Sequence, residues 1–553
     1  MLSHRSLCIG LLLLPAFPAF GQKPVASHRV LRNSQARSQQ LSAPVAVPQV
    51  RAVVLPVDGL ESDSVQTIMS RDLNFGDRVQ VVSDLSPTLA PPAIQSTSKA
   101  QQEPPVVVKT VATATGVTVS LVDPLSGAVR QQHDFVLPQV SHRTDQAIAD
   151  SLNQAFDARD LMRRARIVRA EGVRDSLQFE MARKPPRLRD KQAKEQYAEL
   201  VVQRNNMLIG ALGELALVRG ERERDEAARA GVQRDAIARE AEIRDSAIAA
   251  RRWAIHGVSD AVEEWLTGHR GIAQSRVAYV SNGVIRVVDF DGANDHPVTR
   301  IDKDGDKAMS PAWRRDGTAI VYSEMSDAGT QIAMVDLLTG KTHALAATPR
   351  GLNITPIFST DDKSVIYANG SDFHTSLVSV QLDAATAAKP LPLNRSFDAD
   401  EPILSPDGTR IAYVSSRPKT PQIYSSNLDG TDERVEAPAP PKTRVYHTSP
   451  DWSPDGRMIA YQQQNGDFQV WLVNRDSHSV RRLTSVGENE DPSWAPDARH
   501  IALTSNRGGA KAIWVLDIQT GRVRQLTAAG DARLAAWSGP LGSRAPSPLA
   551  VAR

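Results

Sequence analysis

The chain contains an internal repeat of about 45 residues, and no other feature of the sequence constrains its fold as strongly. Large apolar residues recur at Trp313, Phe358, Leu404, Trp452, Trp494 and Trp537. Successive members are 45, 46, 48, 42 and 43 residues apart. A repeat of this length predicts a supersecondary unit that buries its apolar face only against neighbouring copies of itself.

Each repeat carries the signals of short strands joined by tight turns. Five of the six large apolar residues precede a turn such as Pro454-Asp455-Gly456. Proline fixes φ there, aspartate bonds its own backbone, and glycine accepts a positive φ. A short apolar strand such as Ile459–Tyr461 follows, then a third and a weaker fourth strand. Four strands in about 45 residues predict one blade of a β-propeller.

The two ends of the repeat region complete each other. Residues 276–280 and 284–289 supply the middle strands of a unit that lacks its opening strand, whereas Trp537 marks an opening strand without a unit. Joining the two halves in one blade removes both exposed edges. We therefore expect an all-β propeller of six blades over residues 272–540.

The sequence before the repeats predicts two further regions. Residues 50–140, together with 253–271, alternate strand and helix patterns and are expected to form a small α/β (α+β) domain. Residues 141–252 are rich in Ala, Arg, Glu and Asp, which favours long helices. We expect this charged insertion to form a loose coiled-coil hairpin that breaks near Pro185-Pro186.

The first residues have the pattern of a secretory signal. Residues 1–21 combine an early positive charge, an apolar stretch and small residues before Gln22, where the mature protein is expected to begin. The apolar stretch is shorter than the roughly 20 residues of a membrane-spanning helix. We expect export to the periplasm without membrane insertion, a flexible arm over 22–49 and a disordered tail over 541–553.

Composition and missing motifs exclude several functions. The one cysteine, Cys8, lies in the expected signal, which excludes thiol nucleophiles, cysteine-ligated zinc and redox chemistry in the mature chain. With 65 basic and 63 acidic side chains, the net charge of +2 provides no global field for nucleic acid. The sequence has no nucleophile elbow, Walker loop or His-Glu-x-x-His segment. We therefore expect no enzyme, no catalytic residue, no cofactor and no metal site.

Loops that enter the innermost strands of a propeller surround the mouth of its central channel. Three residues before the first five repeat positions stand Ser310, Thr355, Glu401, Ser449 and Asp491. The acidic cluster Asp398, Asp400 and Glu401 is interpreted either as a binding surface or as a solvated loop. Tryptophans at one per blade are expected to be core residues, and sugar-stacking platforms are the alternative.

Several segments resemble the TolB family. They are Val53–Val57, Ser70–Leu73, Leu121–Gly127, Val258–Gly271, Arg276–Ser281 and Val287–Gly292. The resemblance extends over about residues 50–138 and 253–540. The insertion over 141–252 departs from the family pattern, and Leu352-Asn-Ile-Thr-Pro356 stands where the family often has His-Asn-Gly-Ala-Pro.

The resemblance implies a non-enzymatic periplasmic scaffold of the Tol-Pal system, which supports outer-membrane integrity and cell division. It implies that the propeller face binds the peptidoglycan-associated lipoprotein Pal and that the arm over 22–49 contacts a TolA-like inner-membrane protein. We also expect the chain to be a monomer. Leu352, Thr355, Asp400 and Glu401 best match the family's contact positions. With the neighbouring Asn353 and the channel-mouth positions, the expected partner-binding residues are Leu352, Asn353, Thr355, Asp400, Glu401, Ser449 and Asp491.

Two other functions stay open from the sequence. An exported propeller can bind glycan, peptidoglycan or another protein, and propellers also host hydrolases. Fold alone does not separate these functions from a scaffold role.

Overall fold

The structure, a computed structural model, describes most of the chain from residue 49 onward. The described ranges are 49–57, 62–82, 104–140 and 143–541, the last with gaps at 301–304, 328, 348–350, 372–373, 384–386, 394–397, 418–419, 439–443 and 529. The expected signal over 1–21, the arm up to residue 48 and the tail from residue 542 lie outside the described residues.

The N-terminal domain is a five-stranded sheet covered by helices. Its strands are β1 (Val50–Val54), β2 (Val79–Val81), β3 (Val106–Ala112), β4 (Gly116–Val122) and β5 (Val129–Val136), in the order β2-β1-β3-β4-β5. β1 pairs in parallel with β2 and β3, and the remaining pairs are antiparallel. Helix α1 (Ser62–Phe75) follows β1. The α/β class expected from the sequence is confirmed.

Two long helices form the insertion. Helix α2 (Asp145–Met181) and helix α3 (Lys191–Thr267) are separated by a segment that contains Pro185 and Pro186, as expected, and they pack against each other. Each begins at a side chain that caps its first turn: Thr144 accepts from Ala147 N and Asp190 from Ala193 N. Charged pairs bridge the helices.

The polar bridges explain how a sequence with few large apolar residues forms a hairpin. Arg166 lies 2.7 Å from Glu214 and 2.9 Å from Glu221, and Arg163 pairs with Asp225. The buried apolar residues of α2 are spaced along its inner face at Ile148, Phe156, Ala170 and Leu177.

Helix α3 continues into the N-terminal domain without a break at residue 252. Ile255, Val258 and Val262 near its C-terminus lie in the domain core together with residues of α1 and the sheet. Gly268 ends the helix in the left-handed conformation, with φ of 74°. One continuous helix of 77 residues therefore belongs to both the insertion and the domain.

The propeller has six four-stranded blades. Blade 1 contains β9 (Lys307–Trp313), β10 (Ala319–Ser326), β11 (Gly329–Asp336) and β12 (Thr342–Ala347); blade 2 contains β13 (Leu352–Phe358), β14 (Ser364–Ser371), β15 (His374–Gln381) and β16 (Lys389–Pro390). Blade 3 contains β17 (Asp400–Leu404), β18 (Arg410–Ser415), β19 (Gln422–Asn427) and β20 (Arg434–Val435); blade 4 contains β21 (Tyr446–Trp452), β22 (Met458–Asn465), β23 (Asp467–Asn474) and β24 (Val480–Arg482). Blade 5 contains β25 (Asn489–Trp494), β26 (His500–Ser505), β27 (Ala512–Asp517) and β28 (Val523–Gln525).

Blade 6 joins the two ends of the repeat region. It contains β6 (Arg276–Ser281), β7 (Val284–Asp289), β8 (His296–Pro297) and, as its innermost strand, β29 (Arg533–Trp537). β29 pairs antiparallel with β6, with Trp537 opposite Val277. The expected six blades and their closure are confirmed.

The repeated turns and tryptophans have structural roles. The carboxylate of Asp455 accepts from the Ser453 hydroxyl at 2.6 Å and from Arg457 N at 3.1 Å, which closes the turn. Trp452, Trp494 and Trp537 are buried between blades. Trp313 is half-buried, and its Nε1 donates to Ala536 O at 2.9 Å. The three buried tryptophans are therefore core residues, and their rings are not exposed for stacking on a sugar.

Candidate functional site at the propeller mouth

The innermost strands of the six blades surround the propeller axis. Each contacts the innermost strand of the next blade, and the contact of β29 with β9 closes the ring. All six strands begin at the same end of the ring because each is the innermost strand of an equivalent four-stranded blade and pairs antiparallel with the second strand. The residues three positions before the repeat apolar residues therefore lie together at one mouth.

A β-bulge occurs at the same place in every innermost strand. The residue at each bulge has a positive φ, between 49° and 55°: Ser310, Thr355, Glu401, Ser449, Asp491 and Leu534. The register with the second strand shifts at this point in all six blades. Left-handed backbone costs a non-glycine residue roughly 1–2 kcal/mol, and a bulge re-aims its side chain. The six bulges form a ring of strained positions around the mouth, and strained backbone clusters at functional sites, which makes this ring a candidate site.

Hydrogen bonds between neighbouring blades hold the bulges. The backbone N–H of Ser449 donates to Oε2 of Glu401 in the preceding blade at 2.5 Å. The backbone N–H of Leu534 donates to Oδ2 of Asp491 at 3.2 Å, and that of Thr355 donates to the Ser323 hydroxyl at 3.1 Å. Side chains of one blade thus fix the strained backbone of the next.

Carboxyl groups on the innermost strands have raised pKa values. Burial raises the pKa of Glu401 to about 7, and the nearby charges of Asp400 and Asp491 add to the effect. Burial likewise raises the pKa of Asp400 and of Asp491 to about 6 and that of Asp451 to about 7. The mouth is therefore an acidic surface in which enclosure and mutual repulsion both disfavour the ionised form.

The structure places the seven expected binding residues at two levels of exposure. Thr355, Glu401, Ser449 and Asp491 are bulge residues and Asp400 precedes one of them. These five residues and Leu352 are partly exposed. Asn353 is fully buried.

Asn353 acts on the mouth through its neighbours. Its side-chain N–H donates to Thr330 O at 2.7 Å, its Oδ1 accepts from Asn369, and its backbone N–H donates to the Thr330 hydroxyl. These bonds hold the start of β13, so that Asn353 positions Leu352 while its own side chain stays covered. Whether the seven residues bind a partner stays a prediction.

A second polar cluster joins the N-terminal domain to blade 5, and the sequence analysis missed it. Arg499 lies 2.7 Å from Asp517 and also donates to Asp77 O at 2.9 Å. His500 Nδ1 lies 2.8 Å from Asp497 and its Nε2 lies 3.2 Å from Asp77. All five residues are buried or nearly so.

A departure from the repeat pattern marks this cluster in the sequence. The fifth turn has Pro496-Asp497-Ala498 where the third and fourth turns have Pro-Asp-Gly, and it is followed by Arg499 and His500. Burial alone would lower the pKa of His500, but the carboxylates of Asp497 and Asp77 outweigh it and raise that pKa to about 9. The cluster is therefore an ionic contact with a charged histidine.

Two groups in the described residues bring three potential metal ligands within 4.8 Å of one another. They are Asp72 with His256 and Asp291, and Asp77 with His500 and Asp517. In both groups an arginine already neutralises a carboxylate, since Arg252 pairs with Asp291 and Arg499 with Asp517. A divalent cation would be repelled by these guanidinium groups, so the geometry fits contacts between the two domains better than metal binding.

Among the helices in the described ranges, none combines the length and the apolar character needed to cross a membrane.

Comparison with known proteins identifies the family. Residues 263–541, about half of the 553-residue chain, match the PD40 family, described as the TolB beta propeller domain. The chain belongs to the TolB family. Two relatives called Tol-Pal system protein TolB, from Francisella tularensis subsp. mediasiatica (strain FSC147) and subsp. holarctica (strain OSU18), are each 26% identical over 270 residues. The matched part is 46% of this chain and 60% of each relative, so the chain spans about 60% of the length of these curated TolB proteins.

A solved TolB shares the fold. The crystal structure of TolB from Acinetobacter baumannii aligns with this chain with a TM-score of 0.57 and 17% identity. The aligned region is 90% of this chain and 98% of the Acinetobacter baumannii chain. At this identity the likeness supports the architecture of TolB: a small α/β domain joined to a six-bladed propeller.

Proposed function

We propose that the protein is a non-enzymatic periplasmic scaffold of a Tol-Pal-like envelope system, and that its propeller mouth binds a Pal-like peptidoglycan-associated lipoprotein. In this role it would support outer-membrane integrity and cell division. The names of the relatives, Tol-Pal system protein TolB, support the assignment to a Tol-Pal-like system. The expected signal over 1–21 supports export to the periplasm.

The ring of six strained bulges is the observation that carries the binding site. Rigid backbone supported from the next blade gives a preorganised surface, which lowers the entropy that association must overcome. The partly exposed residues Leu352, Thr355 and Ser449 offer a mixture of apolar and hydroxyl contacts beside the acidic residues. This composition fits a protein partner that presents basic and apolar side chains at its tip.

The N-terminal arm is proposed as the second contact. Residues 22–49 would reach a TolA-like inner-membrane protein while the propeller mouth holds the lipoprotein. The two contacts would then link the inner membrane to the peptidoglycan layer through one chain.

The raised pKa values at the mouth would also suit general acid-base chemistry, which is the observation in favour of a hydrolase. Three of the four carboxylates, however, already accept backbone hydrogen bonds: Asp451 from Trp494 N at 2.6 Å, Glu401 from Ser449 N, and Asp491 from Leu534 N. These contacts give those three carboxylates a structural role. We therefore favour binding over catalysis.

Calorimetric titration with the soluble domain of the Pal-like lipoprotein from the same organism tests the proposal. Glu401→Lys should weaken binding at least tenfold, which is about 1.4 kcal/mol, because it reverses the charge at the centre of the acidic mouth. The matched control is Asp476→Lys, which makes the same charge change in an exposed turn of blade 4.

The outcomes separate the two claims. Binding that Glu401→Lys weakens and Asp476→Lys does not would support both the partner and the site. Equal binding by all three proteins would move the site away from the mouth. Absence of binding by the native chain would refute the lipoprotein as partner.

A further inference from the structure

The outer face of α2 carries a second apolar seam, which the hairpin itself leaves uncovered. Apolar or small residues occupy it at Ala158, Leu161, Ala165, Val168, Gly172 and Phe179. All six are exposed, and Leu161, Val168 and Phe179 expose 70%, 68% and 66% of their surface. The spacings of three, four and seven residues are those of a coiled-coil helix. The seam lies opposite the buried face of α2, which includes Phe156 and Ala170.

The seam is long enough to form a specific contact. Residues 158–179 span about 33 Å of helix at 1.5 Å per residue, which is three heptads. Contiguous exposed apolar side chains on a helix of this length mark an interaction surface. A two-helix hairpin needs only one seam between its helices, and the second seam is therefore in excess of what the hairpin uses.

We propose that α2 of a second copy of this chain covers the seam, with the two α2 helices antiparallel and Ala165 of each copy opposite Val168 of the other. The protein would then be a weak homodimer joined through its insertions. This inference goes beyond the proposed function, and it replaces the monomer expected in the sequence analysis.

Side-chain sizes along the seam fit this register. In an antiparallel coiled coil, positions a and d of one helix face d and a of the other. Leu161 then meets Gly172 of the second copy, and Val168 meets Ala165. Leu161 and Val168 thus each face a small residue, which is the arrangement that lets two layers interdigitate, whereas Phe179 lies beyond these layers, opposite Gln154 of the second copy. Asp175, the polar residue that interrupts the seam, falls at its end opposite Ala158.

Charges beside the seam fit the same register. Arg164 and Glu171 occupy flanking g positions, and antiparallel pairing places Arg164 of each copy opposite Glu171 of the other. Both side chains are solvent-accessible, at 75% and 42%. Parallel, in-register pairing would instead bring Arg164 near Arg169 of the second copy. It would also place the Asp175 carboxylates of the two copies opposite each other. The complementary register is therefore the antiparallel one.

The antiparallel register also leaves room for the globular parts. Its centre, between residues 166 and 167, lies about 32 Å from the base of α2 at Asp145. The bases of the two hairpins are then about 65 Å apart along the helix axis. A parallel pair would place both N-terminal domains and propellers at the same end.

Sedimentation velocity of the full chain over a concentration series up to about 100 μM tests the proposal. We expect a monomer-dimer equilibrium with a Kd on the order of tens of micromolar, as suits a small interface. The double variant Leu161→Asp/Val168→Asp should weaken association by at least tenfold, because it buries four carboxylates in the seam. The matched control Val232→Asp, at an exposed position of α3, should leave the Kd unchanged.

Charge reversal tests the register. Arg164→Glu and Glu171→Arg, each alone, place like charges opposite each other twice per dimer and should each weaken association about tenfold. The combined variant Arg164→Glu/Glu171→Arg restores opposite charges and should return the Kd to within about threefold of the native value. Circular dichroism would verify that each variant keeps its helices.

Cysteine cross-linking gives an independent readout, since the chain has one native cysteine that Cys8→Ser removes. A mixture of Leu161→Cys and Gly172→Cys chains should form a disulfide, because these positions share a layer. Leu161→Cys alone should not, since its two copies lie about 16 Å apart along the axis, whereas disulfides need Cβ atoms about 4 Å apart. A chain that stays monomeric at the highest concentration, a dimer unaffected by Leu161→Asp/Val168→Asp, or self-linking of Leu161→Cys would each overturn the proposal.

Discussion

Replacing Glu401 by glutamine should stabilise the propeller at alkaline pH and leave it unchanged in acid. The folded chain raises the pKa of this carboxyl from 4.5 to about 7, chiefly through burial. A raised carboxyl pKa favours folding while the group is protonated. This contribution is fully present below pH 4.5 and is lost as the pH rises through 7. Above pH 7 the native chain therefore holds a carboxylate in an unfavourable environment.

The size of the effect follows from the shift. A difference of about 2.5 pKa units corresponds to roughly 3.4 kcal/mol at full ionisation, at 1.36 kcal/mol per unit. Glu401 is partly exposed, and solvent screening reduces the effect to about 1–2 kcal/mol. Glutamine keeps an oxygen that can accept from Ser449 N, so the substitution removes the charge while retaining the contact.

Chemical denaturation at pH 4 and pH 8 measures this difference. The free energy of unfolding of Glu401→Gln should equal that of the native chain at pH 4 and exceed it by about 1–2 kcal/mol at pH 8. The control Glu199→Gln, on the exposed surface of α3, should show no such dependence. Equal stabilities at pH 8, or a less stable glutamine variant, would refute the assignment of Glu401 as a carboxyl destabilised by enclosure.

Three further predictions concern the domain contact and the N-terminal sheet. Arg499→Met should destabilise the chain by about 3–5 kcal/mol in denaturation experiments, because it leaves the buried carboxylate of Asp517 without its cation; a loss below 1 kcal/mol would contradict this. His500→Gln should make Tm fall less as the pH rises from neutral to alkaline. The pKa of His500 is raised from 6.5 to about 9, so its charge contributes stability that is complete below pH 6.5 and is lost as the pH rises through 9. An unchanged Tm-versus-pH profile would argue against a charged His500. Gly116→Val should unfold the N-terminal domain, because an added Cβ would lie 1.9 Å from Phe135 O. In hydrogen exchange, the amides of β4 and β5 should lose their protection while those of the propeller keep theirs.

The sequence alone determined the propeller because its signals are local and repeated. Each turn such as Pro454-Asp455-Gly456 fixes its own backbone, and the repeat of about 45 residues sets the number of strands per blade. Pro185-Pro186 likewise favours a break between two helices through its covalent geometry, because proline lacks a backbone N–H and clashes with the preceding turn. The fold class was predictable for these reasons.

The candidate site was predictable only in outline. Position within the repeat placed Thr355, Glu401, Ser449 and Asp491 at one mouth, since equivalent positions of a propeller lie at equivalent places. The buried side chain of Asn353, the positive φ at each bulge and the raised carboxyl pKa values depend on contacts with the next blade. Such contacts leave no periodic signal in the sequence.

Tertiary structure alone decided the contact between the domains and the outer seam of α2. Asp77 and His500 meet across 423 residues of chain, and only the packing of the N-terminal domain against blade 5 brings them together. The apolar residues of α2 were readable in the sequence, but which of its two faces would be covered was not. Helical periodicity shows how residues are distributed around an axis, whereas packing against α3 decides which face is buried and which is left for another molecule.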